Sequence, residues 1–435
     1  MKIAGILALG VAMGILTPAA RGQEDATAGE DRIEPEGADF AVILGPEEPA
    51  VDPEVWSLLS TSPDSSIPMV KIDGEFVLFT WGGIPLDSGE EEIGPAFCAG
   101  EGKDRLCDGM ARLSGKTLDD LAFDPDSDSN RPRAVYRRPP VGPLDPRPNF
   151  SDMWPMGSYY DTASRELLIF NSSDDRPDED VPNLAGAWYG TGELLVSGDG
   201  GQSFGRGGRI LQPAFTKKEW VDAMRRFGSE EVGVFGITHS DAVLDPEGRY
   251  VYLYFAWQNA LSDAVDAEYR VSERAGDRGS GLAVARAPID VPEPARPGSW
   301  EFWFSGDFGS EGLGGKVGIL LPDIHFFDVS WNEYLGRYVL IGSRWGVPLE
   351  DRGYDLYTSL DGISWTPYGR IWSVNNDVGV EGPSARLFPA LFSPATEWDG
   401  KSSQENLLHY AYVQDPSEAT ARLLYRRSLR FEKRK

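Results

Sequence analysis

Five stretches of the chain repeat one plan, and that repeat limits the folds open to it more than any other feature. "DAVLDPEGRYVYLYF" begins at Asp241 and "DVSWNEYLGRYVLI" at Asp328. In each, a short apolar run meets a turn opened by Asp245 or Asn332, and Gly-Arg-Tyr leads into a second run. Turn residues between two alternating apolar runs are the signature of a β-hairpin. Less regular copies begin at Met69 ("MVKIDGEFVLF"), Gly157 ("GSYYDTASRELLIF") and Pro389, the last with a longer turn. The residues closing these turns, Gly74, Ser164, Gly248, Gly336 and Glu405, follow one another at intervals of 90, 84, 88 and 69 residues.

Near-constant spacing marks a repeat architecture. Further strand pairs lie between the hairpins: "AWYGTGELLVS" with "GRGGRILQ", "GLAVARAPI" with "SWEFWFSG", and "YDLYTSL" with "WTPYGRIW". Two hairpins per unit make four strands. Five such units close into an all-β fold, a five-bladed β-propeller of four-stranded antiparallel blades with short, protected edges. The 50 Gly, 32 Pro and 49 aromatic residues (20 Phe, 16 Tyr, 13 Trp) favour short strands and tight turns over long helices. One segment breaks the pattern. "TKKEWVDAMRRFG" (216–228) sets Trp220, Ala223, Met224 and Phe227 at helical spacing, which predicts a short helical insertion packed outside, between units two and three.

The N-terminus reads as a signal peptide over 1–22: Lys2, an apolar stretch from Ile3 to Leu16, and small Ala20 and Gly22 ahead of Gln23. The apolar run is short of the roughly 20 residues a membrane span needs, and no later segment is long and apolar enough. A secreted or periplasmic bacterial protein is expected. Residues 23–50 read as a flexible acidic leader, with "FAVIL" (40–44) pairing at a sheet edge, and 51–435 as a single propeller domain. In an exported chain Cys98 and Cys107 are expected to close one disulfide loop. A metal site there would need further ligands, and none of the three histidines is near in sequence. The formal net charge of −28 repels phosphate backbones, so nucleic acid is not an expected partner.

Two turns share a chemistry. "SGDGGQSF" runs from Ser197 to Phe204 and "SLDGISW" from Ser359 to Trp365. In each, an aspartate placed to bond nearby amides opens a tight turn, and an aromatic residue follows as a plug. The first resembles the Ser-x-Asp-x-Gly-x-Ser/Thr-aromatic "Asp box" of sialidase-like propellers, and the second resembles the shorter form found in secreted five-bladed propellers. With the hairpins, about 55–430 resembles the five-bladed fold of glycoside hydrolase families 43 and 32 and their uncharacterised relatives of domain of unknown function 4185. The Asp box marks architecture on outer turns, so Asp199 and Asp361 are expected to be structural.

In a propeller the innermost strands ring a central channel, and here the first strand of each hairpin is the innermost. Residues just before and within those strands line the mouth: Asp152 and Trp154 in unit two, His239 and Asp241 in unit three, Asp323, His325 and Asp328 in unit four, Glu381 and Arg386 in unit five. Unit one offers Asp64, Ser65 and Ser66. Asp241 and Asp328 share one aligned position in adjacent units. Glycoside hydrolysis needs such a pair of carboxylates, one acid and one base or nucleophile. The resemblance implies an early Asp as base or nucleophile and a later Glu as general acid, with acidic residues in the first three blades. Unit one departs from that pattern, since "IPMVKI" holds no acid.

The expected function is therefore carbohydrate chemistry, with glycoside hydrolysis by Asp241, Asp328 and Glu381 assisted by His239 and His325. Arg386 is expected to hold a substrate carboxylate, with Asp152, Trp154 and Trp345 completing the substrate site and Trp81 in the core. The alternatives are a non-catalytic carbohydrate-binding propeller and a polysaccharide lyase with a histidine base. No cofactor is required. Histidine with carboxylate also suits zinc or a similar divalent cation in the channel, whereas calcium prefers oxygen ligands. The protein is expected to act as a monomer on a carbohydrate partner. The Gly-rich stretch 306–318 lacks Gly-Lys-Ser/Thr, so it is no phosphate loop; it reads as a mobile loop before unit four.

Overall fold

Alternating apolar positions and tight turns fold the chain into successive antiparallel meanders. The computed structural model describes residues 30–51, 67–85, 98–99, 106–123, 132–137, 153–175, 187–344, 353–373, 385–396, 400–413 and 422–434. Strands β1 (Asp31–Ile33) and β2 (Phe40–Pro49) come first in the chain but belong to its last sheet. The first meander is β3 (Met69–Ile72), β4 (Glu75–Pro85), β6 (Leu106–Gly115) and β7 (Ala134–Tyr136), with β5 (Cys98–Ala99) also on β6. The second is β8 (Met153–Asp161), β9 (Glu166–Asp175), β10 (Tyr189–Ser197) and β11 (Gly205–Pro213). The third runs β12 (Phe235–Leu244), β13 (Tyr250–Asn259), β14 (Gly279–Pro288), β15 (Glu301–Phe304) and β16 (Asp307–Glu311).

Two short strands add to these sheets: β17 (Leu313–Gly315) on β11 and β18 (Leu321–Pro322) on β14. The fourth meander is β19 (Ile324–Asn332), β20 (Arg337–Arg344), β21 (Gly353–Ser359) and β22 (Thr366–Ser373). The fifth begins at β23 (Ala385–Phe392); β24 (Lys401–Ser402) leaves it to pair with β19. It continues through β25 (Glu405–Val413) and β26 (Arg422–Lys433), and β2 then β1 complete it. The fold is thus mostly β, as expected.

The expected leader, 23–50, is corrected over its second half. Residues 31–49 supply two strands, and β2 is the second strand of a five-stranded sheet rather than its edge. "FAVIL" is fully buried, and its partner strand lies at the far end of the chain, Phe40 opposite Lys433. The Gly-rich stretch expected as a loop is a correction too, since it contributes β16 and β17.

The helix expected over 216–228 is α1 (Lys217–Phe227). The Thr216 hydroxyl accepts from the Glu219 amide and the Glu219 carboxylate accepts from the Thr216 amide, so two otherwise unpaired donors are satisfied together. Trp220, Val221, Ala223 and Met224 are its buried face. Three helices were not expected: α2 (Ser229–Val232), α3 (Asp263–Tyr269) and α4 (Val271–Ala275).

Five apolar clusters join the meanders. One unites the first and second through Val70, Phe79, Trp81, Leu167 and Leu195. Another unites the second and third through Phe170, Tyr189, Phe235 and Trp257, with α1 packed onto it. Tyr254, Val329 and Leu340 join the third to the fourth, and Tyr354, Leu356, Tyr410 and Phe431 the fourth to the fifth. Met69, Phe76, Phe392 and Leu424 join the fifth back to the first. Fully burying one such ring contributes about 1.5–3 kcal/mol.

The two Ser-x-Asp turns are built alike. Asp199 Oδ1 accepts from the amides of Gln202 and Ser203, and its Oδ2 from the Ser203 hydroxyl. Asp361 does the same for Ile363 and Ser364. Each turn presses on the preceding meander. Gly201 (φ 83°) sits against Phe79 and Gly362 (φ 74°) against Tyr254, whose hydroxyl donates to the Gly362 carbonyl at 2.9 Å.

Candidate functional site

Among the described residues, four of the five first strands carry a β-bulge ahead of their hairpin turn. The ladder slips between Pro155 and Gly157 in β8, Thr238 and Ser240 in β12, Ile324 and Phe326 in β19, and Leu387 and Ala390 in β23. A bulge leaves a residue unpaired and re-aims its side chain. The residues so released are Met156, His239, His325, and Phe388 with Pro389. His239 (φ 41°) and Phe388 (φ 55°) take the left-handed conformation. That costs a non-glycine residue about 1–3 kcal/mol, and such strain gathers at functional sites.

The bulges on β12, β19 and β23 bring four rings together. The centroids of His239 and His325 are 4.6 Å apart, and both lie 4.8 Å from Phe326. Phe388 closes the group at 5.2 Å from His239 and 4.7 Å from Phe326. The protein crowds His239 on nearly every side, yet the residue keeps part of its surface open, as does Phe326. His239 Nδ1 has no hydrogen-bond partner among the described residues. His325 is buried, and Gln258 Nε2 donates to its Nδ1 at 2.6 Å, while Ser280 donates to Gln258 Oε1 at 2.7 Å. With Nδ1 accepting, the proton of the neutral ring sits on Nε2. Burial holds the His325 pKa down to about 3. Burial, with His325 beside it, pushes His239 well below its ordinary value. Both rings are therefore neutral at physiological pH.

The aligned aspartates lie two and three residues further along the same strands, and both are buried. Asp241 accepts from its neighbour Ala242 through Oδ1 (2.8 Å) and from the Val329 amide of β19 through Oδ2 (2.6 Å). It ties two neighbouring first strands together, one residue from Asp328. Arg386 is held elsewhere. Its guanidinium grips Glu47 of β2 with two bonds of 2.9 Å and stacks on Trp372 and Tyr412. Tyr410 donates to the same carboxylate at 2.5 Å. Trp154 is half-buried with the cluster between the first and second meanders, and Trp81 is core. Asp152, Trp345 and Glu381 lie outside the described residues, as do Asp64, Ser65 and Ser66. Cys98 and Cys107 stand directly opposite each other in the pairing of β5 with β6. Among the described residues, no group of three or more His, Cys, Asp or Glu is placed to hold a metal ion.

Sequence reasoning missed Phe326, Phe388 and Gln258. Phe326 adjoins His325 in the repeat and was visible as an aromatic beside it. Phe388 and Gln258 carry no signal of their own, since a bulge brings in the first and strand pairing the second.

These features define a mostly β protein of consecutive meanders whose first strands gather a histidine–phenylalanine cluster. No protein-family model matches the chain, and no curated protein does. Among solved structures it is similar to a family 117 glycoside hydrolase from the marine bacterium Zobellia galactanivorans, at 10% identity over 92% of this chain and 90% of that one, with a TM-score of 0.47. It is also similar to a thermostable family-43 glycoside hydrolase (12% identity, 86% and 92% covered, TM-score 0.42). A protein of unknown function from Dyadobacter fermentans scores alike (11% identity, 84% and 76% covered, TM-score 0.42).

Proposed function

We propose that the chain closes as a five-bladed β-propeller and takes a carbohydrate at the axial site where His239, His325, Phe326 and Phe388 meet. Closure is supported by the circuit of apolar clusters, in which the fifth meander packs back on the first. The paired Asp199 and Asp361 turns support an Asp-box assignment. The ligand reading is carried by one observation: a strained, partly exposed His239 whose buried Nδ1 has no hydrogen-bond partner among the described residues, set in aromatic walls. A sugar offers C–H faces to aromatic planes and hydroxyls to ring nitrogens, which suits this cluster of two phenylalanine and two histidine rings.

Recognition is the first function of this site, because it needs no group to move. Hydrolysis by Asp241, Asp328 and Glu381 is the second reading, favoured by the adjacency of Asp241 to Asp328 across β12 and β19. It requires Asp241 to leave two amides. A histidine with a pKa near 3 is a weak base, which counts against a lyase. A Cys98–Cys107 disulfide, export through residues 1–22 and a monomeric state belong to the same proposal.

The test is calorimetric titration of the protein with a panel of neutral and acidic oligosaccharides, with reducing ends assayed in parallel. One class of glycan should bind, and His239→Asn should weaken it about tenfold, the size of one lost hydrogen bond with its packing. Asparagine tolerates the left-handed backbone, so the fold is kept. Binding unchanged in this variant, or no binding across the panel, refutes the axial reading. Reducing ends released by the wild type and not by Asp328→Asn would move hydrolysis to the front.

A further inference from the structure

A groove of about 990 Å³ lies on the outer side of the second meander, between β11, α4, β17 and the start of α1. Its lining includes Arg206, Arg209, Gln212, Arg274, Leu313 and Lys316. Four cations face one groove in a chain of net charge −28.

Three of these cations are fixed in place. Glu193 is fully buried, and it accepts from Arg206 Nε and Nη2 at 3.2 and 3.0 Å and from Arg209 Nε at 3.1 Å. Arg274 is held by Glu219, the same residue that caps α1, and by the Ala214 carbonyl. Holding long side chains rigid removes most of the entropy cost of binding through them. Lys316 differs. Among the described residues its amine pairs with no carboxylate and lies over the Phe304 ring at 5.4 Å. Among the described residues Glu273 is the one acid in the lining, and Arg270 engages it.

We propose that this groove is a second binding site, separate from the axial one, for an acidic saccharide bearing carboxylate or sulfate groups. Arg206 Nη1, outside the fork that Glu193 holds, and the Lys316 amine can donate to either anion, and the exposed Leu313 offers an apolar contact for a sugar face. The remaining negative charge of the protein does not forbid this, because charges beyond the Debye length of about 8 Å are screened at physiological salt. The site is independent of the axial proposal.

The experiment titrates the protein with polygalacturonate and with dextran sulfate, using neutral dextran as control. Binding of at least one polyanion, weakened as salt rises, is expected. Lys316→Ala should weaken it about tenfold without lowering the melting temperature, since Lys316 is no part of the Glu193 or Glu219 ion pairs. His239→Asn should leave it unchanged. If the polyanion contrast with dextran is absent, or Lys316→Ala binds as the wild type does, the proposal fails. Equal affinity for duplex DNA of matched charge would overturn the saccharide assignment. The carboxylate and sulfate arms identify which anion is read.

Discussion

Replacing Glu47 by Gln should unlatch the strand that completes the last meander. Glu47 lies on β2, and its side chain is 19% exposed while that of its partner Arg386 is 1% exposed. Removing one member of a buried ion pair costs about 3–5 kcal/mol, because the other charge stays buried. Glutamine still accepts one bond, and Glu47 is not fully buried, so the low end, about 3 kcal/mol, is the expected loss. Unfolding entropy is about 2.1 cal/mol/K per residue, or about 0.8 kcal/mol/K for roughly 400 residues, so the melting temperature should fall by about 4 °C. Differential scanning calorimetry measures this, with Glu48→Gln as control. Glu48 is 55% exposed, and such surface pairs contribute little.

The pH dependence gives a second check. Burial raises the Glu47 pKa, but bonds from Arg386 and Tyr410 outweigh it and leave the group below its usual value. A depressed carboxylate contributes stability that is full above its unfolded pKa and lost as pH falls through the lower folded value. The gap between wild type and Glu47→Gln should therefore be complete at neutral pH and close below about pH 4. A variant melting within about 1 °C of wild type at pH 7 would refute the latch.

Other substitutions separate structure from chemistry. Gly362→Ala places a Cβ 2.6 Å from the Tyr254 hydroxyl at a φ of 74°, so it should destabilise by about 1–3 kcal/mol, read by denaturant titration. Asp241→Asn offers only one acceptor where two amides donate, and should cost about 1–3 kcal/mol. If it melts as wild type does while abolishing turnover, Asp241 acts in catalysis rather than as a strand tie. His325 and His409, both held near pKa 3 by burial, take up protons only when unfolded between about pH 6.5 and 3. Stability should fall across that window as pH drops, by up to about 1.4 kcal/mol per pH unit for each ring. His325→Gln should flatten the slope; a slope equal to wild type would contradict it.

The meanders were legible because each hairpin is local: Asp245 and Asn332 announce turns whose strands lie within ten residues on either side. The first helix was legible from the spacing of Trp220, Ala223, Met224 and Phe227, and the structure adds the Thr216–Glu219 cap at its start. The inner place of strand β2 is not legible, because its partner β26 lies at the other end of the chain, which no local pattern reports. The ion pair of Arg386 is silent in the sequence for the same reason, since Glu47 is 339 positions away. Aligned positions led to His239, His325 and the two aspartates. The alignment could not foresee that bulges would turn the histidines toward each other while strand pairing set Asp241 on a neighbouring amide.

Completion of the last sheet by β2 has a consequence for how the molecule assembles. Loop-closure entropy must be overcome before contacts between distant segments reward it. The first four meanders can settle in order as they emerge, but residues 40–49 wait for residues 422–433 before the fifth is whole. Until then, one flank of the nascent protein exposes unpaired amides and the apolar face of "FAVIL", a surface for a chaperone to shield.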